Sequence, residues 1–103
     1  MDDVKKITVD EFEDHGAARS PIALHFVEEL EFYSALDGWY LGVLLRDRSD
    51  DDFSFAVLGP DETGSKRWIA GGDSIKHESD ARTSMLTKLR SVAAGGRQTH
   101  RQD

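Results

Sequence analysis

The apolar residues of this chain fall into two rhythms. Between residues 78 and 95 they recur at Ala81, Met85, Leu86, Leu89, Val92 and Ala93, a spacing that lines one stripe of an α-helix. Ser79 is a cap for its start, Asp80 suits the positive end of the helix dipole, and Gly95 stands where a left-handed residue commonly ends a helix. Between residues 29 and 70 the period shortens to two. Leu30 and Phe32 alternate with Glu29, Glu31 and Tyr33, and residues 39–45, 53–58 and 66–70 are rich in β-branched and aromatic side chains. Asp37 and Gly38 are a hairpin signal between two such runs, and Gly59, Pro60 and Gly64 mark a turn. Near the N-terminus, Thr8 or Asp10 caps a short helix ending near residue 14. Ser20 and Pro21 start another over 21–28.

Consecutive strands joined by short turns pair as neighbours. The pattern therefore predicts an α+β fold, an antiparallel four-stranded β-meander. The C-terminal helix packs on one face, and a short N-terminal helical segment accompanies it. Residues 1–95 form one domain and 96–103 a disordered tail. Strand alternation sorts the faces. Leu30, Phe32, Trp39, Leu41, Val43, Leu45, Phe53, Phe55, Val57 and Trp68 fall on one, which is assigned to the C-terminal helix. Tyr33, Tyr40, Gly42, Leu44, Ser54, Ala56, Leu58 and Ile69 fall on the other, which is too apolar to be left wet. Either the N-terminal segment crosses it with Leu24 and Val27, or a second copy or a partner docks there, with Tyr33, Tyr40, Leu44 and Leu58 as the contact residues.

Composition narrows the function classes. The 103 residues carry 20 acids and 13 bases, a net charge of −7. The charge is divided unevenly: residues 1–62 hold 16 acids and 5 bases, a net of −11, and residues 63–103 hold 4 acids and 8 bases, a net of +4. An acidic surface repels phosphate backbones. The order helix, strands, helix resembles the double-stranded-RNA-binding domain, but that fold needs a basic start to its last helix, and His77, Glu78, Ser79 and Asp80 stand there instead. Nucleic acid is thus an unfavoured partner. Cysteine is absent, which removes disulfides and thiolate chemistry. With no apolar leader and no run of about 18 apolar residues, the expectation is a cytoplasmic protein without a membrane span.

Catalytic and metal-binding motifs fail on spacing. Asp47, Asp50, Asp51 and Asp52 cluster in one connection, but a calcium loop begun at Asp50 meets Phe55 where glycine is required and Asp61 where glutamate is required. Pro60 and Asp61 resemble the start of a metal-dependent nuclease signature, which needs a second acid two residues before a lysine. Asp73 stands three before Lys76. His15, His25, His77 and His100 include no pair at helical ligand spacing, and no nucleophile elbow or phosphate loop is present. Nothing points to a cofactor.

Residues 39–53, continued by Val57, Leu58, Gly59, Pro60, Asp61 and Glu62, then by Arg67, Trp68 and Ile69 and the last helix, carry a family resemblance. Over roughly residues 28–93 the chain resembles small bacterial proteins of unassigned function, some carried on mobile elements such as integron cassettes. That resemblance implies a small α+β fold and transfers no site residues. The reading from sequence is a non-enzymatic interaction module. It self-associates as a homodimer through an apolar sheet face, or its acidic part meets a basic protein partner. The alternative is a small ligand- or metal-binding or hydrolytic protein that uses the acids at 47–52.

Overall fold

The computed structural model describes residues 4–17, 26–63 and 65–102, the last seven of these as helix backbone. The chain forms β1 (Lys5–Ile7), α1 (Val9–Asp14), β2 (Val27–Ala35), β3 (Tyr40–Asp47), β4 (Phe53–Pro60), β5 (Lys66–Ile75) and α2 (Glu78–Gln102). The strands make one sheet in the order β1-β2-β3-β4-β5, every neighbouring pair antiparallel. The fold is therefore α+β, with five strands rather than four. The added strand is β1, whose Lys5, Lys6 and Ile7 pair with Ser34, Tyr33 and Phe32. Three residues, two of them lysine, carry no period of their own.

Local chemistry explains the ends of the elements. Of the two candidate caps, Thr8 is the one that starts α1: its hydroxyl accepts from Glu11 N–H, and the Glu11 carboxylate accepts from Thr8 N–H, both at 3.2 Å. The β2–β3 turn is longer than two residues. Leu36, Asp37 and Gly38 all have positive φ (52°, 53° and 91°), so Trp39 belongs to the turn and is half exposed. Val27 and Glu28 open β2, which excludes them from the helix expected over 21–28; residues 21–25 of that helix lie outside the described residues. Helix α2 continues past Gly95 to Gln102, so Gly95 does not end it.

Helix α2 lies across β3, β4 and β5. Ala81, Met85 and Leu89 are fully buried beneath it and Ala93 nearly so, the stripe that its spacing predicts. Each large side chain there contributes about 1.5–3 kcal/mol of burial. The helix packs this closely because Gly42 leaves a gap in β3. A Cβ at position 42 stands 2.6 Å from Met85 Sδ and 3.2 Å from Leu89 Cδ2.

The faces divide differently from the alternation read along the sequence. Leu44 pairs with Phe55 and Gly42 with Val57, so these four share the α2 side with Tyr33 and Tyr40. Phe32, Leu41, Val43, Leu45, Ala56 and Leu58 share the other side with Ile7 and α1. The helix thus covers the face that had been left for a partner. The parity of β4 was off by one relative to β3, and one residue of slip exchanges every side chain between faces. On the second side, Phe12 of α1 packs on Phe32 with ring centroids 4.8 Å apart, beside Ile7, Leu41 and Val43. Among the described residues, that cover reaches β1–β3 and Ala56 and Leu58 of β4, and it leaves Trp68 of β5 open.

Candidate interaction surface

The four residues expected to meet a partner do not form one patch. Leu44 is fully buried beneath α2. Tyr40 is half-buried on the same side, its ring beside Gly59. Tyr33 is half-buried and its hydroxyl donates to Glu31 Oε1 at 2.5 Å. Leu58 is half-buried on the opposite side, against the α1 cluster. Within the chain the first three serve the helix–sheet contact.

Glu31 organises the rim of that contact. Arg82 of α2 forks onto it through Nε and Nη2, both at 2.8 Å, and also reaches Glu78 at 2.7 Å. Lys6 stands 3.9 Å away. The hydrogen bonds from Arg82, then that from Tyr33, hold the Glu31 carboxyl down at about 2 against the rise that burial alone produces. The same carboxylate and Glu78 push the Arg82 pKa up. This cluster ties α2 to β2.

The acids at 47–52 are engaged separately. Asp47 Oδ1 accepts from Ser49 N–H and Asp50 N–H at 2.8 and 3.0 Å, forming the turn. Asp51 receives Arg46 Nε at 2.8 Å, and Asp52 receives Lys76 Nζ at 3.1 Å. Among the described residues, no three histidine or acid side chains converge as a metal site. Asp61 has turn chemistry as well. It accepts from Thr63 N–H and Oγ1 and from Ser65 N–H, and these bonds lower its pKa.

The surface that stands out lies on the open flank. Trp68 is 70% exposed and Ile69 40%. Beside Trp68 runs a groove of about 550 Å³ lined by Val27, Leu45, Ser54, Ala56, Gly71 and Asp73, with Phe26, itself 59% exposed, next to Val27. Trp68 does not swing freely. Its indole Nε1 donates to the Ala70 carbonyl, and its ring covers the side-chain position of Gly71. An aromatic ring held in place loses little entropy on being covered, and tryptophan is among the residues enriched at the anchors of protein contacts. A second hollow, about 270 Å³, is formed at one end of the sheet by His15, Asp37, Gly38, Trp39, Pro60 and Lys66.

Sequence reasoning placed Trp68 in the core. The signal against this was local: Lys66 and Arg67 precede it and Gly71 and Gly72 follow it, the composition of a sheet edge. Among the described residues, no helix is long and apolar enough to cross a membrane. No family model, curated protein or solved structure matches the chain.

Proposed function

We propose that this chain is a non-enzymatic, cytoplasmic interaction module whose contact surface is the β4–β5 flank of the sheet, centred on Trp68. The observation that carries this reading is a fixed indole, 70% exposed, beside an apolar groove. A contiguous exposed apolar patch rimmed by polar residues is a mark of protein contacts. The charge division favours a protein over a nucleic acid as the occupant. The flank carries Lys66 and Arg67 in a chain whose first 62 residues are strongly acidic, so a second copy or a partner of mixed charge is attracted and a polyanion is not.

The reading is tested by position-specific photo-crosslinking in the native host. A photoreactive residue replaces Trp68 in one variant and Lys88, exposed on α2, in another. The reading predicts adducts from position 68 and few from position 88. Equal labelling from both, or labelling from 88 alone, refutes it.

A further inference from the structure

β5 is ten residues long and stands at the end of the sheet. Among the described residues its outer edge is met only at Lys66, by the Gly16 carbonyl and by Ala17. An edge of this length presents a row of backbone donors and acceptors to any strand of matching shape. The inference here rests on the reading just given, that this flank is a contact surface, and asks what fits it.

The strand is graded along its length. Lys66, Arg67, Trp68 and Ile69 are large or cationic, and Ala70, Gly71, Gly72 and Asp73 are small or acidic. When one copy is reversed against another about an axis between Ile69 and Ala70, each large residue meets a small one. Ile69 faces Ala70, Trp68 faces Gly71, Arg67 faces Gly72, and Lys66 faces Asp73.

Directly opposed residues in an antiparallel pair must also project from the same side of the sheet. The register shift between Val57 and Leu58 inserts one residue between Trp68 and Ala70, so the sides do not follow simple alternation. Trp68 lies on the α1 side with Gly71, whose Cβ position is 2.8 Å from the indole nitrogen. Arg67 pairs with Gly59, whose Cβ position faces Tyr40 and Ile69 on the α2 side. That of Gly72 faces the Phe55 ring on the same side. Ile69 and Ala70 are both on the α2 side. Asp73 follows Gly72, so alternation puts it on the α1 side, and Lys66, which pairs with Pro60 next to Gly59, is on that side too. All four pairs agree. Shifting the register by one residue, which places the axis on Ala70, sets Trp68 against Gly72 from opposite sides.

We propose that two copies of this chain pair antiparallel along β5 over residues 67–72, which brings the Lys66 side chain of each near Asp73 of the other just beyond the ends of the ladder. The result is one sheet of ten strands, five from each copy. The ends of the ladder coincide. Gly16 and Ala17 fill the edge at Lys66, which ends the ladder at Arg67 and, by the two-fold symmetry, at Gly72 of the other copy. The opposite edge of each sheet is the three-residue β1 with two lysines, which is short and charged. The pairing therefore closes as a two-fold dimer and does not propagate as a fibre.

The test is sedimentation velocity on the full chain, as wild type and as Lys66→Asp, Asp73→Lys, the double variant, and Trp68→Ala, with circular dichroism confirming that each is folded. The wild type is expected at twice the 11.5 kDa chain mass. Each single reversal replaces two attractive pairs with two repulsive ones and weakens the dimer about tenfold or more. The double variant restores opposite charges and returns to within about threefold of wild type. A wild type that stays monomeric at high concentration overturns the proposal while leaving the flank to be judged by crosslinking. A dimer broken by Trp68→Ala but indifferent to the reversals overturns this register and leaves the flank as the contact surface.

Discussion

Position 42 has no room for a side chain. Gly42 sits in the middle of β3, directly beneath α2. An alanine methyl there lies 2.6 Å from Met85 Sδ, 3.2 Å from Leu89 Cδ2 and 3.4 Å from Met85 Cγ. Real carbon–sulfur contacts are near 3.8 Å, so the helix must lift by about 1 Å or Met85 must leave its rotamer. Met85 is fully buried and has no solvent to swing into. Overpacking of this kind costs about 1–3 kcal/mol. The φ of Gly42 is not positive, so alanine regains about 0.4–1 kcal/mol through the unfolded chain. The net for Gly42→Ala is about 1–2 kcal/mol of destabilisation, and about 3 kcal/mol for Gly42→Val. In a domain of this size the alanine variant melts about 5–15 °C lower. Urea titrations of Gly42→Ala, Met85→Ala and the double variant check the cause. Removing the thioether empties the space the methyl needs, so the two changes together cost less than their sum by about 1–2 kcal/mol. Additive losses, or a Gly42→Ala protein as stable as wild type, refute the close helix–sheet contact.

Other predictions follow from the polar groups. The Glu31 carboxyl titrates near 2 in the folded protein against 4.5 when free. Its contribution is thus complete above about pH 4.5 and is lost as pH falls toward 2. The shift corresponds to at most about 3 kcal/mol, and water at the rim reduces this to about 1–2 kcal/mol. Urea midpoints between pH 2 and 5 should fall less steeply in Glu31→Gln than in wild type, and parallel curves refute the role of the cluster. Ser34 Oγ is buried with no hydrogen-bond partner among the described residues. Ser34→Ala should therefore raise stability by about 0.5–1.5 kcal/mol, and a loss of stability shows that the hydroxyl is satisfied.

The sequence revealed those parts of the fold whose signal is local. The stripe of Ala81, Met85, Leu89 and Ala93 needs only a 3.6-residue period, and it is the buried stripe of α2. The short helix ending near Asp14 and the strand cores of β3 and β4 are visible for the same reason. What failed depended on pairing. Whether Phe55 shares a side with Leu44 or with Val43 is set by the turn at Asp47, where Arg46 pairs with Phe53, and nothing in the alternation of either strand reveals it. That single step moved α2 to the face reserved for a partner and put Leu44 beneath it. β1 was missed because Lys5 and Lys6 become strand only by pairing with β2. Trp68 reads as core in the sequence because hydrophobicity does not distinguish an edge strand from an interior one. Its exposure follows from the place of β5 at the end of the sheet and from the extra residue that its register shift inserts.

Amide hydrogen exchange along β5, followed from micromolar to millimolar protein, tests directly whether this edge is a contact between copies. The account predicts that protection rises with concentration across residues 67–72 while the amides of β1 exchange at an unchanged rate. Exchange at 67–72 that is independent of concentration, with the chain at monomer mass throughout, contradicts it.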